Sequence, residues 1–432
     1  MLIIGLAFAF YAISNQSLTF TVGTPIDLDT LNLQRQSGDP LKRIGYVILV
    51  GAAFAAFRTK PRALGKTYPG VRLAAIVTVG WIAGSAIWGE MSTASTKDLI
   101  AALILWASCG VLVCRLGMYA IRVSSIIYTG STILIGIVCE VMLSTWHPFS
   151  AEYRFSGTVY PNVQGVFCAI FIICMLSMRA MSRVTKSLQI GACVTATALL
   201  LLTQSRDSVL SLVVAYLVLC LRRWPAVPRR KIAAILVVFI LATSVAAFLG
   251  QTTVGLHKLV RVVTLDRDTV AGLTIGGTRE EIWRACMPFL MRKPFFGYGY
   301  GSFWSDERIE DISDKVGFLA LHAHNGYLDT ALNTGLIGCI CLTALLVIAL
   351  NRCVRETRNV RKSDAEFSIA IIVFFLVHLL FENYLATSIE SILTVCVIAY
   401  LGFAGTQSGL PESNIWRESG QEIRKYHQWR YE

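Results

Sequence analysis

Charged residues are scarce, 15% of a 432-residue chain that is 55% hydrophobic. Soluble domains carry about a quarter charged side chains, so the deficit excludes an ordinary water-soluble fold and points to an integral membrane protein. The first apolar run has neither a basic stretch before it nor a small-residue cleavage site after it, which argues for a retained helix rather than a cleaved signal peptide. Acidic residues are missing from two short loops, 58–72 with Arg58, Lys60, Arg62, Lys66 and Arg72, and 222–231 with Arg222, Arg223, Arg229, Arg230 and Lys231. Cysteines number twelve, yet Cys286 alone falls in the longest polar segment, so no disulfide framework is available there. The cysteines read as small apolar packing residues. Internal repeats, including the half-and-half similarity of many transporters, are also missing.

What is present is a succession of apolar windows of spanning length. Twelve are expected, near 2–22, 41–57, 72–89, 98–118, 123–145, 162–181, 187–203, 207–221, 232–250, 328–350, 367–385 and 388–405. The expected fold class is therefore an all-α integral membrane protein with about twelve transmembrane helices. The two acid-free loops, and the cluster Arg352, Arg355, Arg358, Arg361 and Lys362, fall on one side of that count, which the positive-inside rule makes cytoplasmic. Both termini are then cytoplasmic. The net charge of +12 is a topology signal and not a nucleic-acid footprint. The expected organisation is transmembrane helices 1–9 over 1–250, a large outer loop over 251–327, helices 10–12 over 328–405 and a cytoplasmic tail over 406–432. The loop balances nine basic against nine acidic residues. Within it, Trp283, Met287, Leu290 and Met291 at helical spacing predict an amphipathic helix at the outer interface, ended by Pro294 and followed by a Gly-aromatic turn.

Candidate site residues gather at the outer end. Arg206, in "LLLTQSRDSVLSL", stands between apolar runs, where an ionisable group marks function unless Asp207 pairs with it or it snorkels outward. Arg279 opens the loop helix against the helix dipole, aimed at an anion or paired with a nearby glutamate. Arg154, in "AEYRFSGTVYPNVQG", lies outside before the sixth span. In "LHAHNGYLDTALNTGLIG", a helix beginning near 324 would put His324, Leu328, Ala331, Gly335 and Gly338 on one stripe facing the bundle. It would carry His322 about 200° away, which disfavours a metal pair. Asn325 is suited to cap that helix. His378 and Glu382 share a face of the eleventh span and are expected to pair, while Glu140 and Glu390 are interior partners without an assigned role. Asp27 with Asp29, and Asp266 with Asp268, have a spacing that can hold a divalent cation.

In their order along the chain, "GTVYPNVQG", "LTQSRDSVLSL", "GGTREEIW…KPFFGYGYGSF" and "HAHNGYLDTALNTGLIG" resemble the O-antigen ligase and polysaccharide polymerase superfamily of bacterial inner membranes. Among its members the chain is most similar to rhizobial exopolysaccharide polymerases of the succinoglycan type. The resemblance implies transfer of an oligosaccharide from polyprenyl pyrophosphate to an acceptor glycan at the periplasmic face, without nucleotide, cofactor or metal. It implies His324 as the base and Arg206 and Arg279 as pyrophosphate ligands. Arg154, Asn162, His322 and Asn325 are accessory candidates, and Gly165 falls near the site.

The chemistry suits those types. Guanidinium forks hold pyrophosphate oxygens as charge develops on the leaving group, and an imidazole takes the acceptor proton. Membrane lipid, a chain-length regulator and a flippase are the further partners expected. The alternatives are ligation of O-antigen to lipid A-core, a lipid-linked oligosaccharide flippase or other transporter, and a metal-dependent transferase using Asp27 and Asp29.

Overall fold

The computed structural model describes residues 40–58, 67–150, 153–178, 182–223, 279–355, 362–382 and 389–404. The expected first and ninth spans, the two acid-x-acid pairs and the tail lie outside these residues. The described residues form helices and no strand: α1 (Pro40–Phe57), α2 (Pro69–Trp88), α3 (Thr93–Leu116), α4 (Met118–Met142), α5 (Pro161–Ser177) and α6 (Arg183–Leu202). There follow α7 (Arg206–Arg223), α8 (Arg279–Arg292), α9 (Asp306–Val316), α10 (Gly326–Arg355), α11 (Lys362–His378) and α12 (Ile389–Ala399), the last running into a π turn. Prolines open α2 and α5, where a missing N–H leaves no hydrogen bond unmade. Reciprocal Ser92/Ser95 and Ser182/Thr185 capping boxes open α3 and α6.

Helices α2, α3, α4, α6 and α10 are long and apolar enough to cross a membrane. Their outward faces, with that of α1, expose Val47, Phe54, Leu73, Ile76, Leu134, Leu188 and Ile340. Such a surface is untenable in water and suited to lipid. The chain is a multi-pass membrane protein. Helix α11 is the converse, with Ile369 through Val377 buried on every side among α5, α7, α10 and α12. A helix apolar all round belongs at the centre of a bundle.

Two expected boundaries move. The eleventh span, expected at 367–385, is helical only to His378. Beyond it the Leu379 carbonyl turns aside to accept from Gly326 N–H at 2.7 Å, and Glu382 lies past the helix end. Helix α10 starts at Gly326 rather than near 324, so His322 and His324 precede it. The loop helix α8 forms where expected. Its apolar face, however, packs on protein: Ile282, Trp283, Cys286 and Phe289 join Ile312 of α9, Phe303 and Leu332 in a separate small core.

This small unit is fastened to the bundle through glycine. Gly335 has φ 76° and ψ 172°, which opens α10 in mid-course. The gap is filled by the segment after α8: Leu336 N–H donates to the Pro294 carbonyl (2.7 Å), Tyr298 N–H to Leu332 (2.9 Å) and Gly299 N–H to Asn333 (2.7 Å). The freed Thr334 carbonyl accepts from the Trp81 indole at 2.8 Å, and Trp88 donates to the Phe296 carbonyl at 2.8 Å. A Cβ on Gly335 would lie 1.9 Å from the Phe295 carbonyl oxygen. Gly335→Ala is therefore expected to destabilise the fold by about 3 kcal/mol, from overpacking together with a left-handed φ. The midpoint of thermal unfolding in detergent measures it, and an unchanged midpoint would contradict this approach.

Candidate functional site

The site starts from a buried acid. Glu140, near the end of α4, accepts from Ser156 N–H (2.9 Å), Gly157 N–H (2.7 Å) and the Tyr153 hydroxyl. These bonds fold the 153–157 loop against α4, and Phe155 N–H adds a bond to the Leu202 carbonyl at 2.9 Å. Arg154 is thereby turned inward: Nε donates to the Thr203 carbonyl (3.0 Å) and Nη2 to Asn162 Oδ1 (2.9 Å). Glu140, for which the sequence suggested no role, shapes the loop that carries Arg154.

Asn162, in the first turn of α5, passes the network on by donating Nδ2–H to Glu382 Oε1 at 3.0 Å. Glu382 is buried, and its carboxylate is where the outer candidates meet. His324 Nδ1 lies 3.2 Å from Oε2, and Arg279 Nη2 lies 3.7 Å from Oε1. The Arg279 guanidinium also sits 5.8 Å from the centroid of Phe381. The expected His378–Glu382 pairing does not occur between side chains. His378 instead bridges Asp207 (Nε2–Oδ2 3.3 Å) and Glu390 (Nδ1–Oε1 3.3 Å), all three buried. Leaving the helix at His378 separates the two side chains that a continued helix would have stacked.

The 321–325 stretch is held from three sides. Asp329 accepts from Ala323 N–H (3.2 Å) and from the Trp304 indole (2.7 Å), and the Trp283 indole donates to the Ala323 carbonyl (2.7 Å). Asn325 caps α10, its Oδ1 accepting from Tyr327 and Leu328 N–H at 3.1 Å each, so its side chain is structural. His324 takes a left-handed φ of 48° between these anchors. Because the stretch is not helical, the expected 200° separation is overturned: the two imidazoles meet edge to face with centroids 4.0 Å apart. Burial, with His324 and Arg279 beside it, pushes the His322 pKa down to about 4, which keeps that ring neutral.

Arg206 is the candidate that this network does not include. It is exposed at the first turn of α7, and no partner holds its guanidinium among the described residues. Asp207 does not pair with it, being engaged by His378 and by Ser205 Oγ at 2.7 Å. Gly165 serves close packing, since a Cβ there would fall 2.6 Å from Ser205 Cβ. His322, His324 and Glu382 offer three donor atoms within 4.8 Å of one another, a spacing that can hold a metal ion. Arg279 beside Glu382 offsets the carboxylate charge, and we read the cluster as an ion-pair network.

Compared with known proteins, residues 191–343 match the family described as O-antigen ligase. The matched stretch takes in Arg206, Arg279, His322 and His324. The chain is similar to the O-antigen ligases over that stretch. It is 26% identical over 324 residues to the exopolysaccharide production protein ExoQ of Rhizobium meliloti, covering 69% of this chain and 68% of that one. It is 27% identical over 183 residues to a ComP-specific O-oligosaccharyltransferase of Acinetobacter baylyi, covering 42% of this chain and 31% of that one. The match thus spans under a third of the Acinetobacter protein's length.

Aromatic contacts of the His322–His324 kind contribute about 1 kcal/mol. His322→Ala is accordingly expected to destabilise the protein by about 1 kcal/mol while it stays folded. The midpoint of thermal unfolding in detergent measures this, and an unchanged midpoint would mean that the contact between the rings carries no weight.

Proposed function

We propose that this protein polymerises polyprenyl-pyrophosphate-linked oligosaccharide repeats into an exopolysaccharide at the periplasmic face of a bacterial inner membrane. In this reading the chain has about twelve spans and cytoplasmic termini, with 251–327 as the periplasmic loop between spans nine and ten. The observation that carries the reading is the meeting of Asn162, Arg279 and His324 at one buried carboxylate at one end of a membrane bundle, with Arg154 behind Asn162 and His322 against His324. A lone acid there would repel pyrophosphate. Flanked by Arg279 and His324, its charge is offset and a base stands beside it.

His324 takes the proton of the acceptor hydroxyl as that oxygen attacks the anomeric carbon. Arg279 and Arg206 hold the pyrophosphate oxygens that receive the electrons of the breaking bond. Arg206, exposed and without a described partner, is free to meet a phosphate. Polymerisation is preferred to ligation because the likeness to the exopolysaccharide production protein extends over most of both chains. Ligation to lipid A-core, or transfer to a protein as in the name of the Acinetobacter relative, uses the same donor chemistry and differs only in acceptor. A flippase would place its polar groups near the midplane rather than at one end.

In a strain lacking the protein, polymer is expected to stop at one repeat unit while lipid-linked repeat accumulates. Long polymer that fails to reach lipopolysaccharide would instead establish ligation, and repeats trapped on the inner leaflet a flippase. With purified protein and that lipid-linked repeat, His324→Ala is expected to abolish transfer. Arg206→Lys should lose about a hundredfold, because a point charge does not reproduce a planar fork. Activity should survive EDTA. Near-normal turnover by His324→Ala, or loss with EDTA that added metal restores, would sink the metal-free base mechanism.

A further inference from the structure

Glu382 lies outside the residues matched to the O-antigen ligase family, and the sequence offers it only as a partner for His378. Its geometry is nevertheless specific. A carboxylate this deeply buried is unfavourable unless paired, and this one divides its two oxygens between different tasks. Oε1 accepts from Asn162 at 3.0 Å and faces Arg279 at 3.7 Å, while Oε2 faces His324 Nδ1 at 3.2 Å. Were Glu382 present only to neutralise Arg279, the guanidinium would be drawn to hydrogen-bonding distance. It stands further off, and the imidazole is closer.

The backbone points the same way. His324 holds a left-handed φ of 48°, an unfavourable conformation for a non-glycine residue. It persists because Asp329, Trp283 and the Asn325 cap fix both neighbours. Strain of this kind, over-determined by its surroundings, gathers where a side chain must be aimed. Here it aims Nδ1 at Oε2. An ionised carboxylate only accepts, so Nδ1 must carry the proton and Nε2 the lone pair.

Resting on the base reading of His324, we propose that Glu382 is the positioning residue that fixes the tautomer and direction of that imidazole, with Asn162 and Arg279 holding Glu382 in turn. As the acceptor oxygen bonds to the anomeric carbon, its proton passes to His324 Nε2. The electron pair of the breaking carbon–oxygen bond leaves with the pyrophosphate. Glu382 stays ionised and takes no proton; it steadies the imidazolium that forms.

The test uses full-length protein in detergent with the polyprenyl-pyrophosphate-linked repeat accumulated by the deletion strain. For Glu382→Gln, kcat is expected to fall by about a hundredfold or more, by analogy with loss of the orienting carboxylate in acid–histidine–nucleophile triads. KM for that repeat should stay within about threefold. In a His324→Ala background the same change should lower no further any rate that long incubation detects, since the two residues act as one unit. If Glu382→Gln does not fold, Glu382→Asp replaces it, keeping the charge but withdrawing the carboxylate from Nδ1. Its kcat should fall about tenfold at an unchanged KM. Three results overturn the proposal: wild-type kcat in Glu382→Gln, wild-type kcat in Glu382→Asp, or a raised KM at constant kcat. If His324→Ala is inactive in those cases, the base reading still stands. If His324→Ala is active, both fall.

Discussion

Removing a carboxylate from water at the edge of a membrane is permissible only if cations and donors surround it, and one end of this protein is arranged around that requirement. Glu382 draws in His324, Arg279 and Asn162, and Asn162 in turn holds Arg154. These residues come from the 153–157 loop, α5, α8, the turn before α10 and the end of α11. Each of those elements has its own reason to stop or bend where it does. The loop is pinned by Glu140, the turn by Asp329, and α11 by the diversion of the Leu379 carbonyl to Gly326.

A second buried charge cluster lies one helical turn along α11. His378 between Asp207 and Glu390 ties the starts of α7 and α12 to the central helix. Asp207 is thereby kept from its neighbour Arg206, which leaves a guanidinium without an internal partner at a helix end that ordinarily repels cations. The two clusters differ in exposure: His378, Asp207 and Glu390 are all buried, whereas the His324 side chain beside Glu382 is 37% exposed.

The architecture was largely legible because spanning helices announce themselves through long apolar windows, and every window within the described residues corresponds to a helix. Arg154, Asn162, Arg279, His322 and His324 were legible as outer-end candidates, since polar side chains beside lipid demand explanation. What the sequence concealed was pairing. Spacing of four suggested His378 with Glu382, and only the end of α11 at His378 separates them. Spacing of two suggested that His322 and His324 diverge, and only the non-helical stretch before Gly326 brings them together. Both errors come from extending a helix by a few residues. Helix ends are set by distant hydrogen bonds that local periodicity does not encode.

The seam between Gly297 and Gly335 bears on how such proteins diversify. Residues 293–302 are laced to the opened α10 by main-chain bonds and to α2 through the Trp88 indole and the Ser85 hydroxyl, and backbone contacts backbone at the seam without room for a side chain. Insertions between Lys293 and Leu336 would have to preserve that lacing. The segment from Lys293 onward therefore travels with the histidines as a fixed cassette, and sequence change within it is constrained by main chain rather than by side chains.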